Sequence, residues 1–457
     1  MLPPSMDEWV PASHPARFVA DLVEELDLEA LGFKTSPGEE GRPHFASELL
    51  LGVWLFGWME RIRSTRALEK ACLRDVAFVW LTGNQHPDHN TLWRFFRDNK
   101  AALKTLFKHV VRAAAQTGLV GFALHALDGT KLPARSSTET ALHRKQLVEE
   151  LKKLDAWVDA GLAAVEAHEQ APEPEWKMPS SMESSEERRK LIREALTQLD
   201  AADAEHVHPL ETEARVVKTR EGLRLGYNAQ VVVDHDSDLI VAADVVTDAT
   251  DHRQLVPMVE EARSTTGKNA DETVADAGYA SGEQFAEAER RRLPVIVAVQ
   301  RESETGDYAK SKFRYDTERD LYVCPRGESL PLEGHHRATG GKPAHGLYRC
   351  HNRECPVRDE CTTNKKGRAI KRLPTEDAFV RQVERQNPTP KRILLSLRKE
   401  IVEHVFGIIK WVDGFRRFSV RGLDGVRAQW ALACLAVNLR KLLPAVADGR
   451  ITAAILR

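Results

Sequence analysis

The chain has 457 residues, of which 42% are hydrophobic and 29% charged, with a net charge of −2. That is material for two or three domains of roughly 100–200 residues each. It contains no unbroken run of about 18 apolar residues, which argues against a membrane span, and residues 1–41 lack a basic start followed by an apolar core, so a cytoplasmic location is expected.

Residues 1–120 read as helical. An amphipathic segment covers 16–31, and a strongly apolar helix with Trp54, Phe56 and Trp58 covers 45–60. Further helices are expected over 64–74 and 90–117, with a loop at 84–89 and Asn90 or Thr91 as the cap of the helix that follows. Arg94 and Arg97, with Arg61, Arg63 and Arg66, make this small bundle basic. It is either a DNA-binding unit that uses one of its helices or a plain helical cap.

A strand is expected over 121–132. A helical hairpin follows, with runs over 147–168 and 185–199 separated by the proline-rich residues 171–179. Strands over 223–233 and 239–246 form a hairpin through the turn residues 234–238. A helix over 251–264, in which Pro257 is a potential kink, precedes a strand over 273–276, a helix over 283–292 and a strand over 294–299. That order predicts an α/β fold: a small mixed sheet flanked by helices, behind an all-α N-terminal domain and with two insertions. The expected divisions are 1–120 (helical, DNA-binding), 121–139, 219–300 and 391–457 (core), 140–218 (helical hairpin) and 301–390 (a cysteine-containing basic insertion).

Two acids stand in matching contexts. Asp128-Gly129-Thr130 is read as the end of one short apolar strand, and Asp276-Ala277-Gly278-Tyr279 as the end of another. Strand ends are where open α/β sheets gather functional groups. A third acid lies in the run from Arg398 to Lys410. At about 100° per residue, Ile401, Val405, Ile408 and Val412 share one helical face. Glu403 and Lys410 lie two turns apart on the opposite face, and Gly407 leaves that face uncovered. A helix with one greasy face and, opposite it, a carboxylate and a lysine beside a bare backbone spot suggests a site for a charged ligand. Glu400 is the rival acid on this helix.

Three hard carboxylates can hold two Mg²⁺ ions, with Mn²⁺ as a substitute. Asp128 would bridge the pair, while Asp276 and Glu403 would each complete one ion. Residues 361–421 carry 15 Lys or Arg against 6 Asp or Glu. This basic stretch, with Arg398, Lys410, Arg416 and Arg417 inside it, points to nucleic acid or to a solvated basic surface. Cys324, Cys350, Cys355 and Cys361 are spaced more loosely than paired CxxC turns. They either close a tetrahedral structural Zn²⁺ site or remain reduced thiols in a small loop-rich insert.

These contexts together resemble insertion-sequence transposases of the DDE, ribonuclease-H-like class. Asp128-Gly129-Thr130 is similar to that family's first acidic strand and Asp276-Ala277-Gly278-Tyr279 to its second. Val402-Glu403-His404-Val405-Phe406-Gly407-Ile408-Ile409-Lys410 is similar to its third-acid helix with the trailing lysine. Gly226-Tyr227-Asn228-Ala229-Gln230 resembles the strand after the first acid, and residues 43–95, with Arg63-Ser64 and Pro87-Asp88-His89, resemble the helical N-terminal domain. Many relatives have a tyrosine upstream of the third acid, where this chain has Ser396 or Leu397. The resemblance implies hydrolysis at transposon ends and attack of the freed 3′-hydroxyl on target DNA. Lys410 would then hold a phosphate beside the site. The expected partners are double-stranded DNA, both terminal inverted repeats and target, bound by a homodimer. A DNA-binding relative without chemistry and a plain metal-dependent nuclease are the rival classes.

Overall fold

The computed structural model describes residues 5–34, 45–136, 142–168, 180–201, 206–208, 210–219, 222–299, 306–339 and 343–452. The chain divides into two compact units: Met1–Asp251, Met258–Asp271 and Lys399–Arg457 form the first, His252–Pro257 and Glu272–Arg398 the second.

The first unit opens with the short helix Met6–Trp9, followed by Pro15–Glu25, Ser47–Met59, Thr65–Arg74, Val76–Leu81, His89–Asp98 and Lys100–Gln116. Their ends follow local chemistry. Ser64 accepts from the Ala67 amide, and Asp75 both stops one helix and caps the next through the amides of Ala77 and Phe78. The cap of the His89–Asp98 helix is Asp88, which accepts from the Thr91 amide at 2.7 Å, rather than Asn90 or Thr91. An acceptor placed just before the first turn outcompetes polar residues already inside it. The expected single helix over 90–117 is two, broken at Asn99, whose side chain turns back onto the Phe95 carbonyl at 2.9 Å.

Ser47–Met59 is apolar all round and buried along most of its length, as an interior helix must be. Its Trp54 indole donates to the Leu92 carbonyl at 3.1 Å. The longest C-terminal helix, Leu423–Ala447, packs against Lys100–Gln116, Ser47–Met59 and the strand Ile240–Val246. By length and composition this helix could cross a membrane, although polar residues interrupt its apolar run. However, 67% of its apolar window is buried within the protein, as in a core helix.

The strand Leu124–Pro133 pairs antiparallel with Gly222–Asp234, which in turn pairs antiparallel with Arg215–Thr219 and Ile240–Val246. The hairpin read from sequence is present, and Arg215–Thr219 is a further strand that reading missed. At the open end, buried Asp234 accepts from the amides of Gly121 and Phe122 at 3.1 Å each, and from the Ser237 hydroxyl at 2.6 Å. Burial holds the neighbouring His125 imidazole down to about 4, opposed by the Asp234 charge, so the ring is neutral near pH 7. The helices Arg144–His168 and Ser180–Ala201 pack through Leu147, Ile192, Ala195 and Leu199, as a helical hairpin should. The proline-rich residues 171–179 lie outside the described residues.

In the second unit, strands Glu272–Ala275 and Val295–Val297 pair in parallel and are joined through the helix Gly282–Arg290. The helix Leu255–Thr266, most of which belongs to the first unit, begins at Leu255 rather than at the expected acid Asp251. Pro257 falls in its first turn, where no intrahelical donor is lost. The cysteine region is a five-stranded antiparallel sheet in the order Ala369–Arg372, His345–Arg349, Ser329–His336, Leu321–Val323, Arg314–Asp316, not a loop-rich insert. Its core is Phe313, Tyr322, Leu330, Tyr348 and Ile370, and Asp320 accepts from the hydroxyls of Tyr315 and Tyr348 at 2.7 and 2.5 Å. Antiparallel and parallel pairs, helices on the sheets and an all-helical N-terminal region make this a mixed α/β chain, consistent with a ribonuclease-H-like DDE core.

Asn438 on the long helix donates to the Ile240 carbonyl and accepts from the Ile240 amide, both at 2.9 Å and both buried. Asn438→Ala leaves two buried backbone groups without partners. A loss of about 2–5 kcal/mol in urea unfolding is expected, and a loss below about 1 kcal/mol would mean that water replaces the side chain.

Candidate active site

Asp128 lies within its strand rather than at its end. The ladder with Gly226–Asp234 runs on to Pro133, five residues beyond the acid. The strand continues because the partner strand supplies backbone partners the whole way. Its buried faces carry Leu124, Ala126, Leu127 and Leu132, and the half-buried Asp128 carboxylate accepts from the Gly129 amide at 2.7 Å.

Gly129 is needed for a close approach. A Cβ there would stand 2.3 Å from Gln230 Nε2, 2.8 Å from Asp251 Oδ1 and 3.0 Å from Asn228 Oδ1. Those three residues form a polar network that the reading of single acids did not find. The Asp251 carboxylate accepts from Lys131 Nζ at 2.9 and 3.1 Å, from Asn228 Nδ2 at 2.7 Å and from Gln230 Nε2 at 2.7 Å. Asn228 and Gln230 are fully buried. The available signal was the pair of amides on one side of an otherwise apolar strand, since buried polar groups need partners.

Glu403 lies near the end of the helix Thr389–Gly407, and Lys410 lies in a π-helical turn over Ile408–Val412. The extra residue in such a turn shifts the register of everything after it. Ile401, Val402, Val405 and Ile409 are buried, while Ile408 is half-buried and Val412 exposed, so the apolar face expected to run through Ile408 and Val412 ends early. A Cβ on Gly407 would meet nothing within 4 Å, so that spot is open, as expected. The Glu403 side chain is 65% exposed and faces Lys399 Nζ at 3.9 Å. Lys410 bonds to the Thr130 hydroxyl, on the strand of Asp128 and two residues beyond it. Lys410 and the Asp128 strand are thus brought together across 280 residues of sequence.

Asp276 belongs to the second unit. It follows the strand Glu272–Ala275 and caps the short turn Ala277–Tyr279, accepting from the Gly278 amide at 2.9 Å. This is the strand-to-turn context read from sequence.

The basic residues have differing roles. Arg417 donates to the carbonyls of Ala134 and Arg135 at 2.7 Å each, so it ties the segment after Lys410 to the end of the Asp128 strand. Arg416 lies 4.0 Å over the Trp411 ring and donates to the Lys410 carbonyl at 3.1 Å. Arg97 pairs with Asp98 at 2.8 Å, Arg94 is exposed, and Arg398 is half-buried.

Among the described residues no group of three or more His, Cys, Asp or Glu stands close enough together to hold a metal ion. Cys324, Cys350 and Cys361 pack on the Phe313–Tyr348 core. Burial pushes the Cys361 thiol up, Arg368 opposes this, and Cys324, Cys350 and Cys355 add to it. The four thiols are neighbours, but they are not gathered to ligating distance.

An acid within a sheet strand, a lysine from the π-helical turn Ile408–Val412 bonded to the same strand and a mixed α/β fold are consistent with a ribonuclease-H-like DDE domain. Residues 323–443 match the family described as Transposase DDE domain, and residues 4–98 match Transposase domain (DUF772). These matches support membership of the insertion-sequence DDE transposase family. The first spans the four cysteines, Glu403 and Lys410, while Asp128 and Asp276 lie outside both. No curated protein matches the chain. Proteins of that family bind DNA and generally use divalent metal ions, and the DDE match suggests a transposase or nuclease.

Asp251→Ala releases Lys131, Asn228 and Gln230 together. Chemical unfolding should show a loss of about 2–4 kcal/mol. Asp251→Asn, which keeps the shape, should lose clearly less, and equal losses would show that charge rather than packing holds the network.

Proposed function

We propose that the chain is the DNA transposase of an insertion sequence, which hydrolyses phosphodiesters at transposon ends and joins the freed 3′-hydroxyl to target DNA. The observation that carries this reading is Lys410 against Thr130 beside Asp128, within a chain that matches transposase families at both ends. In this reading Asp128, Asp276 and Glu403 are the three metal carboxylates. Their oxygens suit Mg²⁺, which prefers hard ligands, with Mn²⁺ as a substitute. A pair of such ions would activate the attacking oxygen and stabilise the leaving one.

The other roles belong to side chains of this chain. Lys410 holds the phosphate being cut, where its charge stabilises the charge that develops in the transition state. The Asp251 network keeps the Asp128 strand from shifting beneath it. Arg94, Arg97, Arg398 and Arg416 hold the DNA backbone in register, and Arg417 adds to this by anchoring its segment. The protein acts on both terminal repeats and target as a homodimer. Cys324, Cys350, Cys355 and Cys361 are four soft donors on one small sheet, a set that suits structural Zn²⁺ if binding draws them inward.

The test is cleavage of the element's own terminal repeats with Mg²⁺. Asp128→Asn should abolish cleavage and keep DNA binding, and retained cleavage would remove Asp128 from the site. Lys410→Ala should lower cleavage at least tenfold more than affinity, whereas equal losses would make it an ordinary backbone contact. Binding should fall with salt at a log–log slope of about −0.9 per neutralised phosphate. Protein purified without chelators should contain about one zinc per chain on the four-thiolate reading, and its absence in elemental analysis would leave four reduced thiols.

A further inference from the structure

The first unit contains a cavity of about 500 Å³ that none of the roles above uses. It is bounded by the helices Ser47–Met59 and His89–Asp98, by the start of Thr65–Arg74 and by the segment after Lys410. Trp58, Trp93 and Phe96 supply aromatic wall, Arg63, Arg135 and Arg417 supply cations, and no carboxylate lines it. That excludes a metal or an amine as the natural occupant and favours an anion with a flat ring.

Two further observations point to a missing ligand. Arg63 Nη1 and Trp58 Nε1 are buried donors without a hydrogen-bond partner, a state that calls for an explanation in a folded protein. Desolvation lowers the Arg63 pKa, opposed by Asp413, whose Oδ2 accepts from Arg440 at 2.5 Å while its Oδ1 makes no hydrogen bond. The second observation is Trp93, which is 38% exposed and stacked on Phe96 with centroids 5.8 Å apart and planes 24° apart. It presents a firmly held indole face at the rim.

The cations are held in place. Arg135 donates to the Ser419 carbonyl at 2.9 Å, and Arg417 to Ala134 and Arg135. The amino end of the Thr65–Arg74 helix, through Ser64 and Thr65, opens onto the same space and favours an anion. Arg135 follows Asp128 by seven residues, about 20 Å along extended chain. The volume lies within the range of single-ligand sites, roughly 300–1,000 Å³, and is far too small for duplex.

We propose that this cavity takes one unstacked nucleotide of the bound DNA, with its base on Trp93 and its phosphate at Arg63 and Arg135. The inference rests on the DNA reading above and extends it: the protein would select DNA that is distorted or frayed a few nucleotides from the cut. Base–aromatic stacking is tolerant of base identity, so the preference should be for an unpaired base rather than a particular one.

The test uses the full chain and two duplexes that differ only in one bulged 2-aminopurine. Parent protein should bind the bulged duplex about tenfold more tightly than the fully paired one, with quenching of the 2-aminopurine. Trp93→Ala should abolish both the preference and the quenching, while Trp93→Phe should keep most of each. Arg63→Gln removes the unpartnered Nη1 donor, at the cost of a contact over the Phe415 ring at 5.8 Å, so it should lower Tm only modestly yet lose the preference. It serves as the second probe if Trp93→Ala folds poorly. Equal binding of the two duplexes by parent protein, or a preference that survives both Trp93→Ala and Arg63→Gln, would overturn the proposal and leave the DNA reading standing. Failure to bind either duplex would overturn both.

Discussion

The antiparallel ladder between Leu124–Pro133 and Gly222–Asp234 is the constraint on which the first unit depends. One face of the pair is apolar and packs beneath the long C-terminal helix, whose Trp430 indole donates to the Gln230 carbonyl at 3.1 Å. The side chains of Asn228 and Gln230 cannot be buried without partners, so they converge on Asp251, and that convergence is sterically allowed only because Gly129 has no side chain. The register of the ladder, the position of Asp128 and the route of the chain at Asp251 are therefore one decision rather than three.

The C-terminal segment is fastened to the same ladder. Lys410 bonds to Thr130, the Phe418 amide donates to the Pro133 carbonyl at 3.0 Å, and Arg417 bridges to Ala134 and Arg135. These bonds follow the strand outward from the acid. They explain why the helix cannot simply continue past Gly407. A regular helix would carry Lys410 on round the axis, whereas the π turn lets Ile409 stay buried while Lys410 reaches Thr130.

Much of this was legible in the residues. The strand-to-turn context of Asp276, the apolar Ser47–Met59 helix, the helical hairpin and the strand pair around residues 234–238 follow from local periodicity and turn chemistry. The cysteine region was not legible as a sheet. Its strands are short, and its core mixes Phe313, Tyr322 and Tyr348 with Leu330 and Ile370 rather than following an alternating aliphatic run. The register at Val412 was also missed, because periodicity assumes a regular helix and one inserted residue rotates everything beyond it. The long C-terminal helix carries polar residues such as Arg427, Gln429, Asn438 and Arg440, which break its apolar run without exposing it, because each finds a partner.

What the sequence determined by itself was chemical identity and local form: which residues are carboxylates, which stretches coil or extend, and the resemblance of three motifs to one family. Those depend on neighbours a few positions away. Only the tertiary structure decided that Lys410 meets Thr130, that Asp251 gathers Lys131, Asn228 and Gln230, and that three arginines and five aromatic rings enclose one cavity. Such contacts join residues up to several hundred positions apart. They arise from burying polar groups with their partners, a condition that the whole packed chain satisfies at once and that no local window contains.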